Sequence, residues 1–315
     1  QCLASWKLRP LPVLEQLDGI LVDRQVELKY TGNISLWVVA TRSLALMGYR
    51  EASWPLLALE LAQEKTFLEQ VPLHLQCELL EGFALLGLFD ATAFRNFAEL
   101  LLAEQRYFKG MKDMSMVLTS FAQCQFFHEE IFDTLYTLIL DKLQDSMAAE
   151  SSVEAAWSFA LAGYHRKFES FATLLSHIFR KAQKSTARHR SLAQLVLAEA
   201  PEVVKLSNCA DEVAAAARAA PRSNADQAFL AEVKSVLEEK GWKHRIQPLE
   251  GGFLLDISNS DSEKVGLLLV EQAKLLTTKQ EDHVERWLGE VSVAQRVLQS
   301  QGWTVVILCQ DQWQK

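Results

Sequence analysis

No apolar run in this chain reaches the roughly 20 residues that a helix needs to cross a bilayer. Cysteine is sparse: Cys2, Cys77, Cys124, Cys209 and Cys309 are scattered, odd in number, and never form a CxxC pair. That suits a reducing compartment and argues against both a disulfide framework and a zinc site. An excess of positive charge is also missing. The net charge of −8 excludes a polycation built to coat nucleic acid. There is no Walker loop, no GxGxxG and no GxSxG, so nucleotide hydrolysis, dinucleotide use and serine hydrolase chemistry find no support. The seven histidines offer no HExxH or other ligand spacing. We therefore expect no cofactor, no metal and no enzymatic activity. Gln1 in place of methionine leaves open a removed leader, such as an organelle transit peptide, or a fragment.

What the chain does have is ordinary globular chemistry, 49% apolar and 23% charged, with enough length for two domains. It also repeats itself. Leu44-Ala45-Leu46-Met47-Gly48 is followed by Phe83-Ala84-Leu85-Leu86-Gly87, Phe121-Ala122-Gln123-Cys124-Gln125 and Phe159-Ala160-Leu161-Ala162-Gly163. The alanines at 45, 84, 122 and 160 stand 39, 38 and 38 residues apart. A fixed step of this size marks a stacked repeat array. A degenerate fifth copy surrounds Ala198 and is broken by Pro201.

Each motif closes about a dozen residues with apolar positions at helical spacing. The glycine then falls where a helix end takes a left-handed residue, because no Cβ is there to clash. Gln125 replaces it in the third copy, which must end differently or carry about 1 kcal/mol of strain. A second helix follows each motif: 52–64, 91–106, 129–144 and 167–184. Leu59, Ala98, Tyr136 and Leu174 are equivalent positions there, all suited to burial. The unit is a helix–turn–helix of about 38 residues that cannot bury its faces alone, so the expected fold is a curved α-solenoid.

The expected organisation is a capping lead-in over 1–33, a repeat array over 34–220, a linker around Pro221-Arg222-Ser223-Asn224, and a small α/β domain over 225–315. In that last domain a helix (227–240) stops at Gly241. Strands follow at 242–248, 253–258 and 265–271, with a turn at Glu250-Gly251-Gly252. The near-continuous apolar run of the third suits a strand covered on both faces. A loop (277–283), a helix (284–300) and a last strand (303–308) complete it, closed by Trp313. Trp242, Trp303 and Trp313 read as core anchors.

Two stretches could meet RNA. Arg180, Lys181, Lys184, Arg188 and Arg190 lie in a segment with no acid between Glu169 and Glu199. Long cations at one repeat edge neutralise phosphates, or simply form a solvated helix end. Arg106, Tyr107, Phe108 and Lys109 interleave cations with aromatics, to stack an unpaired base or to plug the gap between repeats. A base-reading array would need a recurring polar column. Arg42 maps to Glu81, Thr119 and Trp157, and Val39 to Glu78, Met116 and Glu154, so no basic or amide column exists.

The tail carries a resemblance. Val236-Leu237-x-x-x-Gly241, Leu255-Asp256-Ile257, Leu269-Val270-Glu271 and Arg296-x-Leu298-x-x-x-Gly302-Trp303-x-Val305-Val306, ending at Trp313, resemble the RAP domain over residues 226–314. With the 38-residue helical hairpins ahead of it, the chain is similar to octatricopeptide-repeat and related organellar proteins. The resemblance implies a degenerate restriction-endonuclease-like core. It also implies a role with RNA in the mitochondrial matrix, or alternatively the chloroplast stroma: ribosome assembly or structure, or transcript stability, processing or translation. Partners would be ribosomal or messenger RNA and ribonucleoprotein proteins, with no membrane. Asp256 and Glu271 fall where a nuclease of this kind holds Mg²⁺. The position two residues after the second carboxylate, where such an enzyme places a lysine, is Ala273, and Lys274 would face the other side of a strand. The two carboxylates are therefore read as structural or as remnants.

Overall fold

The computed structural model describes residues 11–26, 34–108, 110–143, 149–181, 186–218, 227–246, 249–250, 253–259, 264–270, 277–278 and 288–313. The fold is mostly helical, with a small mixed sheet near the C-terminus. Two compact units divide the chain. One holds Gln1–Phe159 with Leu276–Arg286, the other Ala160–Leu275 with Trp287–Lys315. The expected linker lies outside the described residues.

The first unit begins with α1 (Leu11–Asp23) and then alternates. First helices are α2 (Ile34–Leu46), α5 (Leu73–Leu86), α7 (Met111–Gln123) and α9 (Ala149–Leu161), the last ending in the second unit. Second helices are α3 (Trp54–Ala62), with a short α4 (Lys65–Leu68) after it, then α6 (Ala91–Ala103) and α8 (Glu129–Lys142). First helices pack on first helices, α2 on α5 and α5 on α7, while α3 packs on α6 and α6 on α8.

The helix ends show why. Gly48, Gly87 and Gly163 take φ of 67°, 68° and 87°, the left-handed conformation expected of them. Gln125 takes φ 53°, so the third copy ends as the others do and accepts the strain. Its amide donates to Ala122 O at 3.0 Å, and the Phe126 amide to Phe121 O at 2.9 Å. The Gly48 and Tyr49 amides make the same pair of bonds to Ala45 and Leu44. This reversal satisfies carbonyls the helix leaves open and turns the chain back along itself. The aligned positions are buried: Leu44, Phe83, Phe121 and Phe159 on the first helices, Leu59, Ala98, Tyr136 and Leu174 on the second.

Aspartates organise the second helices. Asp90 caps α6 locally, its Oδ1 accepting from the Thr92 and Ala93 amides at 2.9 and 2.8 Å. Ser53, before α3, makes no side-chain cap. Asp18 of α1 reaches across instead and accepts from the Ser53 and Trp54 amides, both at 2.8 Å. A buried carboxylate thus meets the positive end of a helix, and α1 is tied to the first hairpin. After α5 comes β1 (Leu88–Phe89), which pairs in parallel with β7 (Thr277–Thr278). The sequence reads 277–283 as loop; a two-residue strand is too short to leave a pattern.

In the second unit α10 (Phe168–Lys181) packs on α12 (Pro201–Leu206), and α11 (Ala187–Glu199) on α13 (Ala210–Arg218). Pro201 starts α12 at a first-turn position, where its missing N–H costs nothing. Then come α14 (Gln227–Glu239), β2 (His244–Ile246), β3 (Leu249–Glu250), β4 (Phe253–Leu254), β5 (Ile257–Asn259), β6 (Val265–Val270), α15 (Gly289–Ser300), β8 (Thr304–Cys309) and α16 (Gln310–Trp313). The main sheet has the order β2-β5-β6-β8, antiparallel except for β6 with β8, which α15 joins as a crossover. A separate β3–β4 ladder takes Glu250, read from sequence as turn, and Phe253, read as part of a longer strand.

Both faces of β6 are covered, as its apolar run requires. Leu267 and Leu269 pack with Phe229, Leu230 and Val233 of α14, joined by Leu308, Trp242 and Trp313. Val270 packs with Val291 of α15 and with Cys309. Trp303 is buried as well. α15 also packs on α11.

Candidate functional site

Asp256 stands where β5 stops pairing with β6. The ladder pairs Ile257 with Leu267, and one residue earlier the Asp256 amide still donates to Leu267 O at 3.1 Å. Its buried side chain then replaces the missing backbone, with Oδ2 accepting from the Leu269 amide at 2.7 Å. A charge-assisted bond to a buried N–H is among the stronger kinds, and it holds the strand end together. Glu271, the other carboxylate of the expected pair, lies outside the described residues. Among the described residues no three His, Cys, Asp or Glu side chains gather as a metal cluster.

The cationic segment is split. Arg180 is exposed on α10 and its Nη2 donates to Asn208 O at 3.5 Å. Arg188 and Arg190 are half-buried in the first turn of α11. That turn is opened by Thr186, whose hydroxyl accepts from the His189 amide at 3.2 Å, while His189 Nδ1 accepts from the Thr186 amide at 3.3 Å. Lys184 and the side chain of Lys181 lie outside the described residues.

The aromatic stretch divides in the same way. Phe108 is only 6% exposed, so its ring fills the core and is not offered to a base, correcting its place among the stacking candidates. Tyr107 is 52% exposed, with the Arg106 guanidinium 4.8 Å from its ring centre and Arg106 Nη2 donating to its hydroxyl at 2.9 Å. Lys109 lies outside the described residues.

The columns tested for a base code turn out to join hairpins. Arg42 Nε donates to Glu81 Oε2 at 2.7 Å and Arg42 Nη1 lies 3.8 Å from Glu78 Oε1. Ser158 Oγ donates to Thr119 Oγ1 at 3.4 Å. Met116 and Trp157 are buried. These positions are occupied by neighbouring hairpins, which is why they follow no recurring polar chemistry.

One cluster carries no motif a sequence would show. Arg296 of α15 grips Glu199, with Nε to Oε1 at 2.7 Å and Nη2 to Oε2 at 3.3 Å, and its Nη1 donates to Leu161 O at 3.3 Å. His165, almost fully buried, places Nε2 3.4 Å from Glu199 Oε2 and Nδ1 3.1 Å from Ala160 O. Burial pushes the His165 pKa below its ordinary value, against the opposing pull of Ala160 O and Glu199. Arg296 belongs to the tail that resembles the RAP domain. Its partners are 97 and 135 residues away, beyond any local signal.

Four cysteines are buried thiols, and burial raises the pKa of Cys77, Cys124 and Cys209. Those three are poor nucleophiles and poor metal ligands in that state. No helix among the described residues is long and apolar enough to cross a membrane. No family model and no curated protein matches the chain.

Proposed function

We propose that this chain is a non-catalytic, RNA-associated protein of organellar gene expression, a structural or assembly component of a mitochondrial ribosome. In this reading the hairpins form an α-solenoid of about 38-residue repeats, and the tail is a RAP-type domain of degenerate nuclease ancestry. The observation that carries the non-catalytic part is the bond from the Leu269 amide to Asp256 Oδ2. A carboxylate needed to finish a sheet is poorly placed to give that oxygen to Mg²⁺. Support for the helical part comes from equivalent positions on successive hairpins touching one another, as Arg42 and Glu81 do. The organelle and the RNA rest on the resemblance of the tail.

Sedimentation of the tagged chain in moderate salt tests this. Co-migration with ribosomal particles is the expected result. A light pool that still crosslinks to RNA would instead make it a free-standing factor for transcript stability, processing or translation. Metal-dependent cleavage of single-stranded RNA by the purified chain, lost in Asp256→Asn with the fold retained, would overturn the non-catalytic reading.

A further inference from the structure

The solvent face of α10 forms one wall of a cleft of about 590 Å³, and residues 206–208, at the end of α12 and just beyond it, form the other. A volume of this size is in the range of small-ligand sites. Glu169, Thr173, Ser176, His177 and Arg180 follow one another along the wall at helical spacing. The two charged residues stand at opposite ends, about 16 Å apart along the helix axis at 1.5 Å per residue. Leu206, 54% exposed, adds an apolar surface to the facing wall.

We propose, building on the RNA-associated reading above, that this cleft holds one nucleotide of single-stranded RNA. The phosphate lies at Arg180 and the base edge at Glu169. The Arg180 guanidinium is a planar fork of five N–H donors that matches phosphate oxygens. Its bond to Asn208 O, at 3.5 Å, is long and weak. No acid follows in sequence until Glu199, so its own segment does not neutralise it. Thr173 and Ser176 place hydroxyls between the two ends; Thr173 Oγ1 donates to Glu169 O at 3.1 Å, so toward a ribose 2′-OH it accepts. Leu206 offers the apolar contact on which a sugar or base face rests.

Glu169 gives the site a preference. An ionised carboxylate only accepts hydrogen bonds. It therefore favours bases with an exocyclic amino group: adenine, cytosine and guanine. Uracil presents a single N–H between two carbonyl oxygens, which a carboxylate repels. The cleft selects amino-bearing bases and disfavours uracil, and this selectivity comes from an acid within an RNA-binding surface.

The test is fluorescence anisotropy of the full chain at low salt, with labelled adenylate, cytidylate and uridylate oligoribonucleotides and the matching adenylate DNA. The expected order is adenylate and cytidylate RNA above uridylate RNA, and RNA above DNA. Arg180→Glu weakens every RNA by about tenfold or more and lowers the dependence of log affinity on log salt by about one. Glu169→Gln brings uridylate level with the others. Both side chains are exposed, and circular dichroism checks that the variants stay folded. RNA binding by the wild type that neither substitution alters would overturn the cleft and leave the RNA-associated reading standing. No binding to any RNA would overturn both. Equal affinity for DNA would overturn the role given to Thr173 and Ser176.

Discussion

The hairpins of the first unit and the sheet of the second are held together by contacts of different range. Between hairpins the partners stand one repeat apart. Arg42 and Glu81 are 39 residues apart, and Asn96 Nδ2 donates to Gln63 O across 33. The sheet unit closes through Arg296 and Glu199, 97 apart, and through Trp313 Nε1 donating to Glu232 across 81. Each hairpin of the first unit packs on the next along the chain, so side chains about one sequence step apart meet. The sheet has to be completed by single, unrepeated side chains. Asp256 is one such side chain, and the Arg296–Glu199–His165 cluster is another.

The largest effect should come from emptying a hairpin core. Phe121 is fully buried, with ring centres of Phe126 and Phe94 at 5.3 and 5.9 Å. Phe121→Ala should cost about 3–5 kcal/mol, read as a lower urea midpoint by circular dichroism. A neighbour-to-neighbour stack should also show a broader transition, since one weakened interface uncouples the hairpins beside it. A sharp two-state loss of the whole chain would break the contrast between the regions. In the sheet, Asp256→Asn should cost about 1–3 kcal/mol, because the charge on the Leu269 bond is lost. Hydrogen exchange should rise first at Leu269, with the hairpins unaffected.

How much of this the sequence could show follows from the same contrast. The column of Gly48, Gly87 and Gly163 was legible because one backbone problem recurs at one interval. Helix bounds fell close to expectation: 91–106 against Ala91–Ala103 followed by a 3-10 turn at Gln105–Tyr107. β6 was legible as a strand covered on both faces from its apolar run. Not legible were β1 and β7, two residues each, and the β3–β4 ladder, where a turn residue pairs with a strand residue. The partner of Asp256 was not legible, although a structural role was among the expectations, and the reason is physical. An aspartate at a strand end looks the same in sequence whether it binds a cation or a neighbouring amide. Arg180 stood out as a cation, but its cleft needed residues 206–208, which folding brings beside it.

A smaller effect should separate the regions by pH. His165 has its pKa lowered by burial, so the unfolded chain binds its proton more readily than the folded one. Stability is then lost as pH falls through the ordinary histidine range toward the lower folded value, and is fully present above that range. Glu199, Arg296 and Arg166 act on the ring, the first favouring its charge and the other two opposing it. His189, also lowered by burial, adds to the same slope in the second unit. Replacing both by Gln should flatten the midpoint against pH between neutrality and mild acid. An unchanged slope would mean that neither ring is buried neutral.

The smallest effect should be a gain. Gln125 alone breaks the glycine column, yet its φ of 53° keeps it in the conformation the column imposes. The two bonds that follow, into Ala122 O and Phe121 O, are of ordinary length, so the geometry is set by the hairpin and tolerated by the residue. Gln125→Gly removes the Cβ strain but also frees the unfolded backbone, which opposes it. With the strain at about 1 kcal/mol and the glycine entropy at about 0.5 kcal/mol, a net gain of about 0.5 kcal/mol is expected, seen as a slightly higher melting temperature. The reverse change, Gly87→Gln, places the same strain in a copy that has not been selected around it. It should cost more than Gln125→Gly gains. Equal and opposite shifts would show that the repeat imposes one conformation at one energy everywhere; a larger loss at Gly87 would show that the third copy has adjusted around its glutamine.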